Sequence, residues 1–489
     1  TEVRHVPCVP YALLLLITLI GLGLRLAGLG TESLSFDEAT SLAIGKTPVV
    51  QAASDLLRLD VHPPLYFFVL HFALMLGNSE WLARFPSVIF GACSIPALFL
   101  VGRHLFDNRV ALIAASILAV SPFHIYYSQL ARPYSLWALL SLLTWFSLIR
   151  AIQTGRRSWW LFYTLAAAAS LATHYFSIIT LVFQNVSGLA IRERARGWIR
   201  SSLLANSAVM VPFAVFLVVS GVIGQDRVPG WLSSLDPPAL SSLSSAVIAF
   251  SLGQAGHFFP RYCRLASYLL FAGLLFVGFR RKCFSNGMVA CWILFLLPLL
   301  LHWLLSRIEM IFVWRYLLPY LLPYILLLAV GLTGIARRRN RVLAGALLGL
   351  VSLAGTWLTL ATNQNEDWRS VAQYVLLRRQ PSDLVVLSPL WYRAPFDYYS
   401  RGEVKVADPD RLMTASDPVL SGAERVWLIE PFRHHWTEQN RENIRECLSA
   451  RFMAVESIEI SQWDGRILCY SQPESGRVES SCIKDNRVW

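Results

Sequence analysis

The sequence predicts an all-α polytopic membrane domain followed by a small extracytoplasmic α/β domain, and three observations point to it. Of its 489 residues, 55% are hydrophobic and only 15% are charged, with a mean hydropathy of +0.49. No soluble fold of this size buries so much apolar surface. The basic residues behind the formal net charge of +12 gather in short loops between apolar runs. They are Arg103 and Arg109; Arg150, Arg156 and Arg157; Arg192, Arg194, Arg196 and Arg200; Arg280, Arg281 and Lys282; and Arg337, Arg338, Arg339 and Arg341. That is the positive-inside pattern of cytoplasmic loops. After Leu360 the composition turns polar, with short apolar runs separated by turn signals.

With the basic loops in the cytoplasm, spans are expected at about 11–29, 81–101, 109–125, 133–150, 158–173, 175–191, 199–221, 263–279, 287–304, 315–335 and 341–361. The first run, Tyr11 to Leu29, is too long for a signal peptide and lacks a small-residue cleavage pattern. Eleven crossings start inside and finish outside. Pro64 to Leu76 is apolar but short, and is expected to lie as a helix at the outer interface. Leu240 to Phe259, Ser-rich and interrupted by glycine, is also placed outside. The long loops, 30–80 and 222–262, thus share the outer face, where function is expected.

The domain boundary falls between a membrane domain at 1–361 and an extracytoplasmic domain at 362–489. Within the second, Trp368, Val371, Ala372 and Val375 have helical spacing behind the start signal Asn365-Glu366-Asp367. Leu384–Leu387 and Val426–Ile429 read as buried strands, with a helix over Arg441 to Leu448. The alternation predicts an α/β fold, and the tail from Glu474 is expected to be loose. Of the eight cysteines, Cys93, Cys263, Cys283 and Cys291 sit in or beside apolar runs. Cys447, Cys469 and Cys482 lie in the polar domain, where a Cys447–Cys469 bridge is possible. No Cys/His spacing reads as a zinc site. No basic strip interleaved with aromatics appears, so no nucleic-acid partner is expected.

The adjacent carboxylates Asp37 and Glu38 stand just past the first span. Carboxylates are costly at membrane depth and cheap a few ångströms outside it, so a pair at the boundary suits a base acting on a lipid-borne substrate. Other polar residues fall at the outer ends of the spans under the same topology. They are His62 in His62-Pro63-Pro64-Leu65-Tyr66, Arg84, His124, Tyr126, Tyr127, Arg132 and Tyr134, His174, and Arg315. Arginine at a helix end commonly snorkels, and Tyr and Trp belt the interface. Arg84, Arg132 and Arg315, however, run against the positive-inside bias beside an acidic pair, which suits a phosphate site next to a base. His124 and His174 read equally as neutral histidines bonded between helices.

The run from Asp37-Glu38 through His62-Pro-Pro-Leu-Tyr, Arg84-Phe-Pro-Ser and Tyr126-Tyr127-Ser-Gln-Leu-Ala-Arg132-Pro-Tyr134 resembles the GT-C glycosyltransferases. In particular it resembles the protein mannosyltransferase and lipid A aminoarabinose transferase superfamily of bacterial inner membranes. Arg315-Tyr-Leu-Leu-Pro319 and Asp367-Trp368-Arg369 are similar too. The resemblance implies an enzyme that takes a sugar from a polyprenyl-phosphate carrier at the periplasmic face and passes it, with inversion, to an acceptor hydroxyl on a lipid, glycan or protein. Asp37 matches the family's catalytic Asp, with Glu38 beside it. His62 stands where some relatives carry a lysine that touches the carrier phosphate. His62, Arg84, Tyr127, Arg132, His174 and Arg315 are then the candidates for holding carrier phosphate or sugar. Many relatives have Glu where this chain has Leu130, so the bound divalent metal that the family allows is left open. A glycan ligase using a diphosphate-linked carrier is the alternative within enzymes. A secondary transporter, which would place ionisable residues at the midplane of repeated halves, and a membrane scaffold are the alternatives outside them.

Overall fold

The computed structural model describes residues 9–47, 62–191, 194–219, 237–282, 285–362, 365–409, 423–431, 438–450, 452–459 and 465–472. The chain divides into two compact units. One is Thr1–Leu29 with Ile44–Thr362, and the other is Gly30–Ala43 with Asn363–Trp489. The segment bearing Asp37 therefore folds with the C-terminal residues.

The first unit is helical. Seven of its described helices are long and apolar enough to cross a membrane: Glu80–Leu105, Tyr134–Thr154, Trp198–Val218, Arg261–Arg280, Asn286–Leu305, Trp314–Gly334 and Arg338–Ala361. An eighth crossing arises if Asn108–Ala119 and Pro122–Ser128, which meet at a 59° bend, are one broken span. The chain is an integral membrane protein, but the expected count of eleven is not confirmed. The helices Arg157–Leu171 and Ser177–Gly188 have only 15 and 12 residues. At about 1.5 Å per residue they reach roughly 22 and 18 Å, short of the ~30 Å hydrocarbon core. Leu65–Leu74 and Ser241–Leu252, the two stretches read as non-spanning, are short apolar helices.

Burial separates centre from perimeter. The most apolar windows of Trp314–Gly334 and Tyr134–Thr154 are 89% and 78% buried, against 17% for Trp198–Val218, which turns Leu203, Leu204, Val211 and Val215 outward. Helix ends follow local chemistry. Ser79, Asp107 and Ser285 accept backbone N–H bonds from Leu82, Val110 and Met288, capping the helices that begin at Glu80, Asn108 and Asn286. Gly155, at φ 65°, ends the Tyr134–Thr154 helix in the left-handed conformation that glycine adopts without cost.

The bend after Ala119 has its own logic. Ser121 caps the short helix and Pro122 supplies its first residue, so the chain restarts where proline is tolerated. A break inside an apolar unit frees carbonyls that must be satisfied within the protein. Arg25, fully buried on the Val9–Leu26 helix, does this. Its Nη1 donates to the carbonyls of Gly21 (2.8 Å) and Ala119 (3.1 Å), and its Nη2 to Leu118 (3.1 Å). Nη2 also donates to His124 Nδ1 at 2.9 Å and Nε to Ser128 Oγ at 3.3 Å. The next carbonyl, Val120, accepts from Thr356 Oγ1 at 3.0 Å. Three glycines let the short helix come this close. A Cβ on Gly91 would lie 2.2 Å from Ser128 Oγ, and Cβ atoms on Gly253 and Gly355 would lie 2.8 and 3.1 Å from Pro122.

The second unit is α/β, as expected. Its five-stranded sheet has the order β2-β1-β3-β5-β4, with β1 Leu384–Leu387, β2 Val406–Ala407, β3 Arg425–Pro431, β4 Met453–Glu459 and β5 Gly465–Ser471. β1 runs parallel to β2 and β3, whereas β5 is antiparallel to both β3 and β4. Side chains alternate across the sheet. Val385, Leu387, Trp427, Ile429 and Cys469 face Trp368, Val371, Val375 and Phe396 from the Trp368–Arg378 and Arg393–Ser400 helices. Val386, Leu428 and Leu468 face Ile444 and Leu448 of the Glu438–Ser449 helix. The sheet therefore stands between Cys469 and the helix that carries Cys447, and the two are not bridged to one another. The tail from Glu474 and Cys482 lie outside the described residues.

Replacing Arg25 with Met should remove the Nη1 bond to the Ala119 carbonyl and one donor to the Leu118 carbonyl, which keeps the Ser121 N–H, and cost about 3 kcal/mol or more. Thermal unfolding in detergent should show a clearly lower midpoint, partly restored in Arg25→Lys. An unchanged midpoint for Arg25→Met would contradict the role given to this side chain.

Candidate functional site

The bent helix pair leads into a set of buried polar side chains. Arg132, four residues past the short helix, is almost fully buried and donates from Nη2 to His62 Nδ1 at 3.0 Å. Its own carbonyl accepts from Ser87 Oγ, which in turn bonds Tyr66 Oη at 2.8 Å. His62 packs edge-on against His174 (ring centroids 5.0 Å apart) and Tyr134 (5.8 Å). Tyr134 continues to Tyr127 at 5.4 Å, and the Tyr127 hydroxyl accepts from Gln254 Nε2 at 2.6 Å. His174 meets Tyr316 at 5.4 Å, with Arg315 over the Tyr316 ring at 5.5 Å, and the charge of Arg315 reaches both His174 and Tyr127. Five of the residues singled out in the sequence, His62, Tyr127, Arg132, His174 and Arg315, thus come together. They include two guanidiniums and two imidazoles held among aromatic rings.

Arg84 has a bond to the backbone. It is buried, and its Nη1 donates to the Leu29 carbonyl at 2.9 Å. Gln129 reaches the same stretch, donating to the carbonyls of Arg25 (3.1 Å) and Ala27 (2.7 Å). Arg84 and Gln129 therefore fix the exit of the first helix. His124, for which the sequence offers the reading of a histidine bonded between helices, meets Arg25 of the Val9–Leu26 helix.

The two carboxylates belong to the other unit and differ sharply from each other. Glu38 is fully buried, and its Oε2 accepts from Ser35 N (3.0 Å), Ser35 Oγ (3.2 Å) and Asn365 Nδ2 (3.2 Å). Ser35 Oγ accepts in return from Glu38 N at 3.3 Å. This is a capping box at the start of the Phe36–Lys46 helix. Asp37, half-buried, stands in the first helical turn, where the N-terminal dipole favours its charge. Phe36, the residue before it, is partly buried. It packs edge-on against Tyr392 at 5.7 Å, in the core of the C-terminal unit. Burial pushes the Tyr392 phenol above its ordinary range, the nearby Glu366 and Asp37 carboxylates push the same way, and Arg441 opposes them. Leu34 N donates to Tyr399 Oη at 2.7 Å, and Arg369 donates to the carbonyls of Thr31 (3.1 Å) and Gly30 (3.4 Å). The Asp367-Trp368-Arg369 run of the sequence thus resolves into a helix cap, a core side chain and a clamp on the Asp37 segment.

Sequence reasoning missed several of these parts. Ser35-Phe-Asp-Glu38 carries a capping-box signature, and Arg25 is a charge inside an apolar run, so both had signals. Trp137, which stacks on His174 at 4.0 Å with planes 7° apart, had none. Among the described residues no group of three or more His, Cys, Asp or Glu is arranged to hold a metal ion, and position 130 is leucine.

The architecture is similar to that of solved structures of ArnT and of an archaeal oligosaccharyltransferase. Residues 61–221 match the family model described as dolichyl-phosphate-mannose-protein mannosyltransferase. That stretch contains His62, Arg84, Tyr127, Arg132 and His174, but not Asp37 or Arg315. ArnT from Cupriavidus metallidurans, solved bound to undecaprenyl phosphate, aligns with TM-score 0.59 at 13% identity over 93% of this chain and 97% of that one. Its apo structure gives 0.61 at 12% identity with the same coverage. The oligosaccharyltransferase AglB from Archaeoglobus fulgidus, in complex with an inhibitory peptide and a dolichol-phosphate, aligns with TM-score 0.52 at 11% identity, over 95% of this chain and 74% of that one. At these identities the likeness is one of fold. No curated protein sequence matches the chain.

The Glu38 geometry generates a test of its own. Glu38→Ala should lose the carboxylate half of the capping box and the Asn365 contact, keeping only the backbone N–H bond to Ser35 Oγ, and lower stability by about 1–2 kcal/mol. Glu38→Gln, which keeps an acceptor oxygen, should lose less. Thermal unfolding of the two variants side by side checks the order, and equal midpoints for Glu38→Ala and the parent would refute it.

Proposed function

We propose that this chain is a membrane glycosyltransferase that moves a sugar from a polyprenyl-phosphate carrier to an acceptor hydroxyl, with inversion at the anomeric carbon. The observation that carries this reading is the meeting of Arg132, Arg315, His62, His174 and Tyr127 inside the helical unit. Transfer breaks the bond between the anomeric carbon and a phosphate oxygen, and the carrier phosphate leaves with the electron pair. Its charge rises from one to about two negative units as the bond breaks. Fixed guanidinium and imidazole donors in a site of low dielectric stabilise that growing charge more than they stabilise the bound donor. Arg132 and Arg315 suit this role best, since a guanidinium matches phosphate oxygens through paired N–H bonds.

Asp37 is the base that takes the proton of the acceptor hydroxyl as that oxygen attacks the anomeric carbon. One displacement on the face opposite the phosphate inverts the centre. Glu38, committed to the capping box, holds the turn that presents Asp37. Arg84, committed to the Leu29 carbonyl, steadies the helix exit. The positive-inside pattern supports an active face and a C-terminal unit on the periplasmic side of a bacterial inner membrane. The acceptor, a lipid, glycan or protein, meets the enzyme on that face.

Asp37→Asn should lower the transfer rate on the order of 10²–10⁴-fold while leaving carrier binding intact. Glu38→Gln should cost much less. Arg132→Ala and Arg315→Ala should each weaken binding of undecaprenyl phosphate by about tenfold to a hundredfold. Transfer assays with lipid-linked sugars in detergent and lipid-binding titrations measure both. A larger loss at Glu38 than at Asp37 would reverse the assignment of the base, and unaltered lipid affinity in both arginine variants would remove the phosphate site.

A further inference from the structure

Beside the arginines and His62 lies a group of buried nitrogens with no hydrogen-bond partner among the described residues. His174, 3% exposed, accepts the Phe176 N–H on Nδ1 at 3.2 Å. An accepting Nδ1 means a neutral ring with its proton on Nε2, and that N–H finds no hydrogen-bond partner among the described residues. His302, fully buried on the Asn286–Leu305 helix, has Nδ1 at 2.9 Å from the Pro298 carbonyl. A carbonyl only accepts, so Nδ1 carries the proton and Nε2 is a lone-pair acceptor, again with no partner among the described residues. Trp137, fully buried and stacked on His174, likewise has its indole N–H unmatched. Phe176 ties the two histidines together, with ring centroids 5.5 Å from His174 and 5.1 Å from His302. Tyr316 closes the group at 5.0 Å from Phe176 and 5.4 Å from His174.

Buried polar atoms are almost always paired, and each exception calls for a reason. Three exceptions grouped through one set of stacked rings share a single reason more economically than three. Their chemistry is also complementary. Trp137 Nε1–H and His174 Nε2–H are donors, while His302 Nε2 is an acceptor. A sugar hydroxyl both donates and accepts, and aromatic faces cover the apolar side of a sugar ring. Buried polar groups of this kind discriminate strongly, because a ligand lacking the matching hydroxyl leaves them unpaired.

We propose that Trp137, His174 and His302 form the subsite that reads hydroxyl groups of the donor sugar, next to the arginines that hold its phosphate. This rests on the reading of the chain as a transferase using a lipid-phosphate-linked sugar. The neutral tautomers suit an uncharged, hydroxyl-rich sugar.

The test compares affinities for undecaprenyl phosphate alone and for undecaprenyl phosphate carrying mannose, glucose or arabinose, with the full-length protein in nanodiscs. The parent protein should bind at least one sugar-bearing lipid more tightly than the bare lipid. Trp137→Phe, which keeps the ring, and His302→Leu, which keeps comparable bulk, should each cut that advantage by about five- to tenfold. Neither should alter affinity for the bare lipid or the unfolding midpoint. If both lipids weaken equally in a variant, or if the sugar advantage survives in both, the nitrogens do not read the sugar and the subsite is refuted. If the parent binds the bare lipid but gains nothing from any of the sugars, the subsite fails while the carrier reading stands. A parent that binds none of these lipids overturns the carrier reading, and the subsite with it.

Discussion

The helical unit depends on how a break in a membrane helix is satisfied. Between Ala119 and Pro122 the chain turns by 59°, and the carbonyls of Leu118, Ala119 and Val120 lose their helical partners. Water is not at hand to replace them in an apolar interior, so the protein must. Arg25 and Thr356 do so. Desolvating a guanidinium is expensive, and five hydrogen-bonding partners offset that cost. Once the bend is fixed, Tyr127, Gln129 and Arg132 follow from it, because each lies within a turn or two of the restarted helix. Glycine at 91, 253 and 355 is the steric counterpart, since a side chain at any of these positions would push the short helix away.

Order at the carboxylate pair comes from a different source. Ser35, Glu38 and Asn365 form a closed set of hydrogen bonds around the first turn of the Phe36–Lys46 helix. Arg369, Tyr399 and Tyr392 tie the segment before it to the C-terminal unit. Gly30–Ala43 and Asn363–Trp489 form one compact unit, so Asp37 folds with the C-terminal domain. A domain that seems an appendage in the sequence thus holds the candidate base in place. Of the two adjacent carboxylates, one is spent on structure and the other is left half-buried in the helix dipole.

What the sequence disclosed, and what it hid, divides along physical lines. Hydropathy and charge are composition-level signals summed over many residues, so the helical class, the basic loops and the switch to an α/β fold after Leu360 were legible. So were the strands at Leu384 and Val426, whose apolar runs are buried on both faces. β4 was not, since Met453–Glu459 is an exposed edge with acids among its apolar residues. The expected count of eleven spans is not confirmed among the described residues, and an apolar run does not reveal where a helix stops. Leu171 and Gly188 end their helices short of membrane thickness. At the candidate site, Arg132, Arg315, His62, His174 and Tyr127, picked by residue type, lie close together in the structure. Arg84, picked on the same grounds, donates to the Leu29 carbonyl, a matter of aim that one sequence does not encode. Trp137 and His302 were invisible for the converse reason, because on apolar helices they read as packing.

The central claim is that the buried arginine and histidine cluster holds the phosphate of a lipid carrier. A structure of the full-length protein in nanodiscs with undecaprenyl phosphate tests it most directly. The account predicts phosphate density within hydrogen-bonding distance of the guanidiniums of Arg132 and Arg315 and of the His62 ring. Phosphate bound elsewhere, with the Arg132–His62 bond intact and Arg315 facing away from the lipid, would contradict it.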